Sequence, residues 1–321
     1  MLLSVRHTTR YEYSKPVSQA VNRLCLLPGS NAHQRGLSSQ VEITPEPETV
    51  HRGTDHYGNE IARFDLHVPH TVCSVTVSSV VDTRDELPPL PPSLDAAANL
   101  ARLRERGTVY RDRSAREAAL MAHDCLLPSP YVPHDAAVDA LLAECPVGGR
   151  GVLEHAEALM HHIHETFEYD PKFSSLVTPI EAVLEARRGV CQDFAHLAIA
   201  ALRRARIPAR YVSGYLETLP PPGRPKLRGA DASHAWFAVH DAEAGWFDFD
   251  PTNGKRPDRQ YVVTARGRDY GDVTPLKGIV YGAGRHRLRV EVDVDRVETD
   301  EAAQTHLRAV PDSELSPPLS Q

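Results

Sequence analysis

The 321 residues exceed the usual size of one hydrophobic core, and 41% apolar with 25% charged residues is a globular balance, so disorder is excluded as the main state. A net charge of -7, with both signs mixed along the chain, offers no basic field for phosphate backbones or anionic lipid, which removes nucleic acid and membrane from the expected partners. The start Met1-Leu2-Leu3-Ser4-Val5-Arg6-His7 turns polar too early for a secretory signal, and no apolar run is long enough to span a bilayer; a cytoplasmic protein is expected.

Strand patterns fill residues 1–90. Leu3, Val5 and His7 alternate, Val41-Ile43 and Ile61, Phe64, Leu66 and Val68 follow, and Val72 to Val81 is a β-branched run. Turn residues at Gly29-Ser30-Asn31 and Tyr57-Gly58-Asn59 separate them, which predicts an antiparallel β-sandwich domain over 1–90. Leu87-Pro88-Pro89-Leu90-Pro91-Pro92 stops helix and sheet alike and marks the boundary. Beyond it Val152, Leu153, Ala156, Leu159, Met160, Ile163 and Phe167 fall at helical steps. Further helices are expected at Pro179 to Arg187 and Gln192 to Arg206, the latter halted by Pro208. Strands follow at Arg210 to Leu216, Ala235 to His240, Trp246 to Phe249 and Arg287 to Val294. Helices then strands, without βαβ alternation, predict an α+β domain over 91–298, followed by a disordered tail over 299–321.

Chemistry concentrates at one of five scattered cysteines. Cys25, Cys73, Cys125 and Cys145 read as small core residues, and with no CxxC pair neither zinc nor redox work is indicated. Cys191 differs because Arg188-Gly189-Val190 leads it directly into a helix with apolar residues at 194, 197, 198, 201, 202 and 205. Free N–H groups and the positive end of the dipole favour a thiolate there and can receive an oxyanion. A nucleophilic thiol needs a base, and the base a partner on its other nitrogen. His234 starts one strand, and Asp250-Pro251 ends the next; neighbouring strands would let the two face each other. Asp248 shares a strand face with Asp250, so alternation alone leaves either as the orienting carboxylate.

Four blocks together resemble the bacterial transglutaminase-like proteins: Gly189-Val190-Cys191-Gln192-Asp193-Phe194-Ala195, Ile207 to Tyr215, His234-Ala235-Trp236, and Gly245-Trp246 with Asp250-Pro251-Thr252-Asn253. Tyr11 to Val17 and Asp55 to Asn59 are similar to the β-rich domain that accompanies this family, so the likeness runs over residues 2–297. The resemblance implies a papain-like arrangement with Cys191 as nucleophile, His234 as general base and then acid, and Asp250 as the orienting carboxylate. Tyr169, Gln192 and Trp236 are supporting candidates around the oxyanion, Tyr169 competing with an ordinary core role. Arg206 stands where relatives often carry glycine.

The expected reaction is cysteine-dependent acyl transfer on a peptide or protein substrate bearing a carboxamide or peptide bond, through a thioester and without cofactor or metal. Water as acceptor gives a protease or amidase, the favoured outcome; an amine gives a protein-glutamine transglutaminase or amide ligase. A non-catalytic interaction protein that kept the fold is the competing class, and self-association stays open. Among rival side chains, His196 lies off the thiol's helix face, His240 is six residues along the strand from His234, and His161, His162, His164 and Glu165 match no metal spacing and read as a solvated helix face.

Overall fold

The computed structural model describes residues 1–84, 87–108, 112–146, 148–173, 175, 178–218, 229 and 231–298; the expected tail at 299–321 falls outside them. Alternating strands dominate the first part: β1 (Leu2–Val17), β2 (Gln19–Leu27), β3 (Gln34–Thr44), β4 (Val50–Thr54), β5 (Glu60–Leu66) and β6 (His70–Thr83). Side chains on alternate positions, among them Leu3, Leu24, Phe64, Leu66, Val75 and Val77, meet in one core between two antiparallel sheets. Each large apolar side chain so buried contributes about 1.5–3 kcal/mol.

Helices then accumulate: α1 (Ala96–Gly107), α2 (Arg113–Asp124), α3 (Val138–Glu144), α4 (Val152–Thr166), α5 (Ile180–Ala186) and α6 (Cys191–Arg204), with the short parallel pair β7 (Glu168–Tyr169) and β8 (Arg188–Gly189) between them. A third antiparallel sheet follows from β9 (Ala209–Leu216), β10 (Ser233–Asp241), β11 (Gly245–Phe249) and β12 (Tyr261–Gly267), in the order β11-β10-β9-β12. Helix α6 is buried on nearly every side from Asp193 to Arg203, which its many alanines permit by letting backbones approach closely. Ala235, Phe237 and Val239 of β10 pack on one side of it, and Leu159 and Ile163 of α4 share the same core. The fold is therefore α+β, as expected.

After α7 (Tyr270–Val273) the chain returns. Strand β13 (Leu276–Tyr281) pairs with β2, and β14 (His286–Arg296) pairs with β1, giving the orders β13-β2-β5-β4 and β14-β1-β6-β3. Residues expected within the 91–298 domain thus complete the sheets of the first. Alternation shows that a strand exists but not which edge it will extend, and the expected strands do not include β12 and β13. Strand β12 also joins the halves, since Gln34 exchanges two hydrogen bonds with the backbone of Val263, at 2.8 and 2.7 Å.

At the end of α6, Arg206 has φ 62°, a left-handed conformation. Its N–H donates to Arg203 O and that of Ile207 to Leu202 O, closing the helix with the kind of turn in which glycine is strain-free.

Candidate active site

Cys191 is the first residue of α6 and the one cysteine of five that is partly exposed. Asp193 Oδ2 accepts from Val190 N–H at 2.8 Å and fixes the helix start. Among the described residues none accepts from the N–H groups of Cys191 and Gln192. Gly189 makes the turn possible, because a Cβ there would fall 2.9 Å from Asp193. Burial pushes Cys25 and Cys73 up to about 11 and raises Cys125 and Cys145 as well, so these four thiols are held protonated.

His234 and Asp250 come from adjacent strands. Phe237 pairs with Phe249, so Asp250 lies just past the register and diagonal to His234. His234 Nε2 donates to Asp250 Oδ2 at 2.7 Å with Asn253 Nδ2 3.3 Å away, and Cys191 lies close enough for its thiol to act on the ring electrostatically. Burial would lower the imidazole; the hydrogen bonds and charges of Asp250 and Cys191 outweigh it and lift His234 to about 10. Asp250 itself is 0% exposed and fully satisfied. Its Oδ2 also accepts from Tyr261 OH and Asn253 Nδ2, both at 2.7 Å, while Oδ1 accepts from the N–H groups of Thr252 at 2.9 Å and Asn253 at 3.3 Å. Burial alone would raise this carboxyl, yet the donors, His234 foremost, hold it below the usual carboxylate range.

The other expected residues divide. Asp248 accepts from Trp236 Nε1 at 3.2 Å, which gives it a different partner from His234. Trp236 is buried beneath the site, its ring 5.9 Å from that of His234 and 5.4 Å from that of Tyr261. Gln192 occupies the first turn of α6, partly exposed. Tyr169 is 53% exposed rather than a core residue, and lies near enough to Cys191 that, after burial, the thiol's charge raises its hydroxyl. His240 is buried against Trp246 and pulled down by burial to about 4; His196 is likewise buried, accepting from Tyr270 N–H.

The histidines of α4 are not simply solvated. His162 pairs with Glu144 at 2.9 Å, and His164 Nδ1 donates to Thr252 O at 3.0 Å. Gly254, at φ 61°, lets the His164 ring approach so closely that a Cβ there would fall 2.5 Å away. The reach of α4 across to this turn is tertiary, and no local pattern announces it. Tyr261 was missed for a related reason: it stands alone at the start of β12, and its value to Asp250 depends on how β10 and β9 set β12 relative to β11.

Residues 3–82 match the family profile of the bacterial transglutaminase-like N-terminal region, and residues 140–251 match that of the transglutaminase-like superfamily. The second match contains Cys191, His234 and Asp250. An uncharacterized protein of Mycobacterium tuberculosis is 36% identical over 300 residues, 91% of each chain. A protein-glutamine gamma-glutamyltransferase of Pseudomonas aeruginosa is 32% identical over 111 residues, 32% of this chain and 17% of that one. A Cytophaga hutchinsonii protein, crystallised as a candidate cysteine protease, shares the fold with a TM-score of 0.68 at 23% identity, over 94% of this chain and 92% of that one.

Proposed function

Because the chain belongs to the bacterial transglutaminase-like family, we propose that it is an enzyme of cysteine-dependent acyl transfer in which Cys191, His234 and Asp250 act as one unit. The observation that carries this reading is a buried, fully hydrogen-bonded carboxylate bonded to one imidazole, with the one partly exposed thiol of the five close enough to raise that imidazole. Such an arrangement keeps the ring in one orientation and favours imidazolium beside sulfur.

In the proposed cycle the Cys191 sulfur attacks the carbonyl carbon of a carboxamide or peptide bond. The N–H at the start of α6 receives the developing oxyanion, with Tyr169 and Gln192 as the candidate side-chain donors. The C–N bond breaks, and ammonia or an amine leaves with the proton of His234. Water or an amine, giving its proton back to His234, then releases the acyl group from the thioester. Water as acceptor, hence a protease or amidase, is the first reading, since excluding water takes a closed tunnel. The Pseudomonas glutamyltransferase relative favours an amine acceptor as the second.

Mass spectrometry of glutamine-containing peptides, incubated with and without a primary amine, separates the outcomes: cleavage, deamidation or amine incorporation. Cys191→Ala should lower the rate by about 10³-fold or more. Iodoacetamide on the native protein should mark Cys191 well before the four buried thiols. Slow, even labelling of all five, with no product that depends on Cys191, would leave a non-catalytic partner-binding protein instead.

A further inference from the structure

Beyond His234, the face of the third sheet turned away from α6 carries more cation than carboxylate. Register sets Arg210 opposite Ala238 and Ala238 opposite Asp248, while Arg266 lies opposite Val212 and Val212 opposite Trp236. The guanidinium carbon of Arg210 stands 3.9 Å from the Trp246 ring centroid, and Trp236 Nε1 holds Asp248 Oδ2. Asn59 clamps the Arg266 backbone from both sides, donating to its O and accepting from its N–H, each at 2.7 Å. The Arg210 guanidinium and the Arg266 backbone are thus held in place. Yet among the described residues neither side chain makes a hydrogen bond or ion pair, and both Nε atoms are buried without a partner.

Asp248 is the carboxylate whose charge both guanidiniums feel. Nearby Arg256 already donates to Pro88 O at 2.8 Å and feels the charge of Glu157, and the charges of Arg84, Arg256 and Arg266 act on His33. A guanidinium taken out of water without a bonded anion is costly, and the fork of N–H groups is left unused. Burial, and then the charge of Arg266, lowers Arg210 to about 9; burial lowers Arg266 as well. Both residues are buried only in part, the guanidinium Nε atoms lying inside.

We propose that Arg210 and Arg266 form a binding site for a small oxyanion, a carboxylate or phosphate group, seated beside Trp246 on the sheet face that also bears His234. Two guanidinium forks match the planar oxygens of a carboxylate and the tetrahedral oxygens of phosphate, and the flat face of Trp246 keeps Arg210 presented. Asp248, tied to Trp236, offsets one of the two guanidinium charges. The anion comes either free or on an acidic side chain or C-terminus of a peptide.

The chain has 2 tryptophans, Trp236 and Trp246, and both line this site, so intrinsic fluorescence reads it directly. Sodium phosphate, a short acetylated peptide acid and the corresponding peptide amide are titrated separately, with ionic strength held constant by chloride. Saturable change with phosphate, with the acid, or with both supports the site; the acid without phosphate assigns the anion to a peptide, and phosphate without the acid assigns it to a free ion. Arg266→Gln should weaken the response at least tenfold, and Arg266→Lys should weaken it while keeping the charge, with circular dichroism confirming the fold. If Arg266→Gln does not fold, Arg210→Gln takes its place. No saturable response to either anion, a response equal for acid and amide, or one unchanged in a folded variant overturns the proposal. Since no turnover is involved, the result stands apart from the acyl-transfer reading.

Discussion

On one sheet face, Asp250 gathers five hydrogen bonds with no exposure, whereas Asp248, two residues earlier, takes one from Trp236 beside Arg210 and Arg266, whose side chains have none among the described residues. The same strand therefore treats two carboxylates in opposite ways. At Asp250 the charge is neutralised locally, and the surrounding turn from Thr252 to Gly254 is shaped to supply donors. Around Asp248 the charges are positioned but unmatched. A buried carboxylate with every lone pair used has one fixed orientation, and that suits a group whose task is to hold an imidazole. An unmatched cluster is instead poised to respond to something that arrives.

The sharpest way to break this contrast is to exchange the losses. Asp250→Ala should cut acyl transfer by about 10³–10⁴-fold and destabilise the fold by about 3 kcal/mol, because Tyr261 and Asn253 lose their acceptor; Asp248→Ala should leave turnover within a few-fold. Peptide turnover and urea unfolding measured on both variants decide it, and the reverse ranking would give the orienting role to Asp248.

Next comes pH. His234 binds its proton more tightly in the folded state, at about 10 against an ordinary 6.5, so its contribution to stability is complete below about pH 6.5 and is lost as pH rises through about 10. Denaturation midpoints should fall across that window in the wild type, and the fall should be shallower in His234→Asn. Equal slopes would mean that the imidazole is not held by Asp250 and Cys191.

Smaller effects sharpen the account of the turn. Tyr261→Phe removes one of the three donors to Asp250 Oδ2 and should cost about 1 kcal/mol in a thermal or urea melt, with a modest loss of rate. His164→Ala frees Thr252 O from its tie to α4 and should cost about 0.5–1 kcal/mol, less because that histidine is exposed. An effect of His164→Ala larger than that of Tyr261→Phe would shift the weight of the site from the sheet to the helix.

Much of this was legible locally. A glycine turn entering an apolar helix marks Cys191 because helix periodicity and free N–H groups follow from adjacent residues. His234 and Asp250 were readable as strand start and strand end for the same reason. Asp250 could not be separated from Asp248 by alternation, since both fall on one face; pairing of Phe237 with Phe249 and the donors from Tyr261 and Asn253 separate them. Arg206 shows the converse, a residue whose departure from the family pattern was visible while the left-handed conformation behind it was not.

By itself the sequence determined the α+β class and most element types, and it marked Cys191, His234 and Asp250 as candidates, because these depend on periodicity and on chemistry carried by short segments. Tertiary structure alone decided that β13 and β14 return to the first two sheets, that α4 braces the turn after Asp250, and that Arg210, Arg266 and Asp248 share one face. The physical reason is common to all three. Which edge a strand extends, and which distant side chain fills a hydrogen bond, is settled by competition among whole surfaces once the chain has collapsed, and no window of neighbouring residues contains that information.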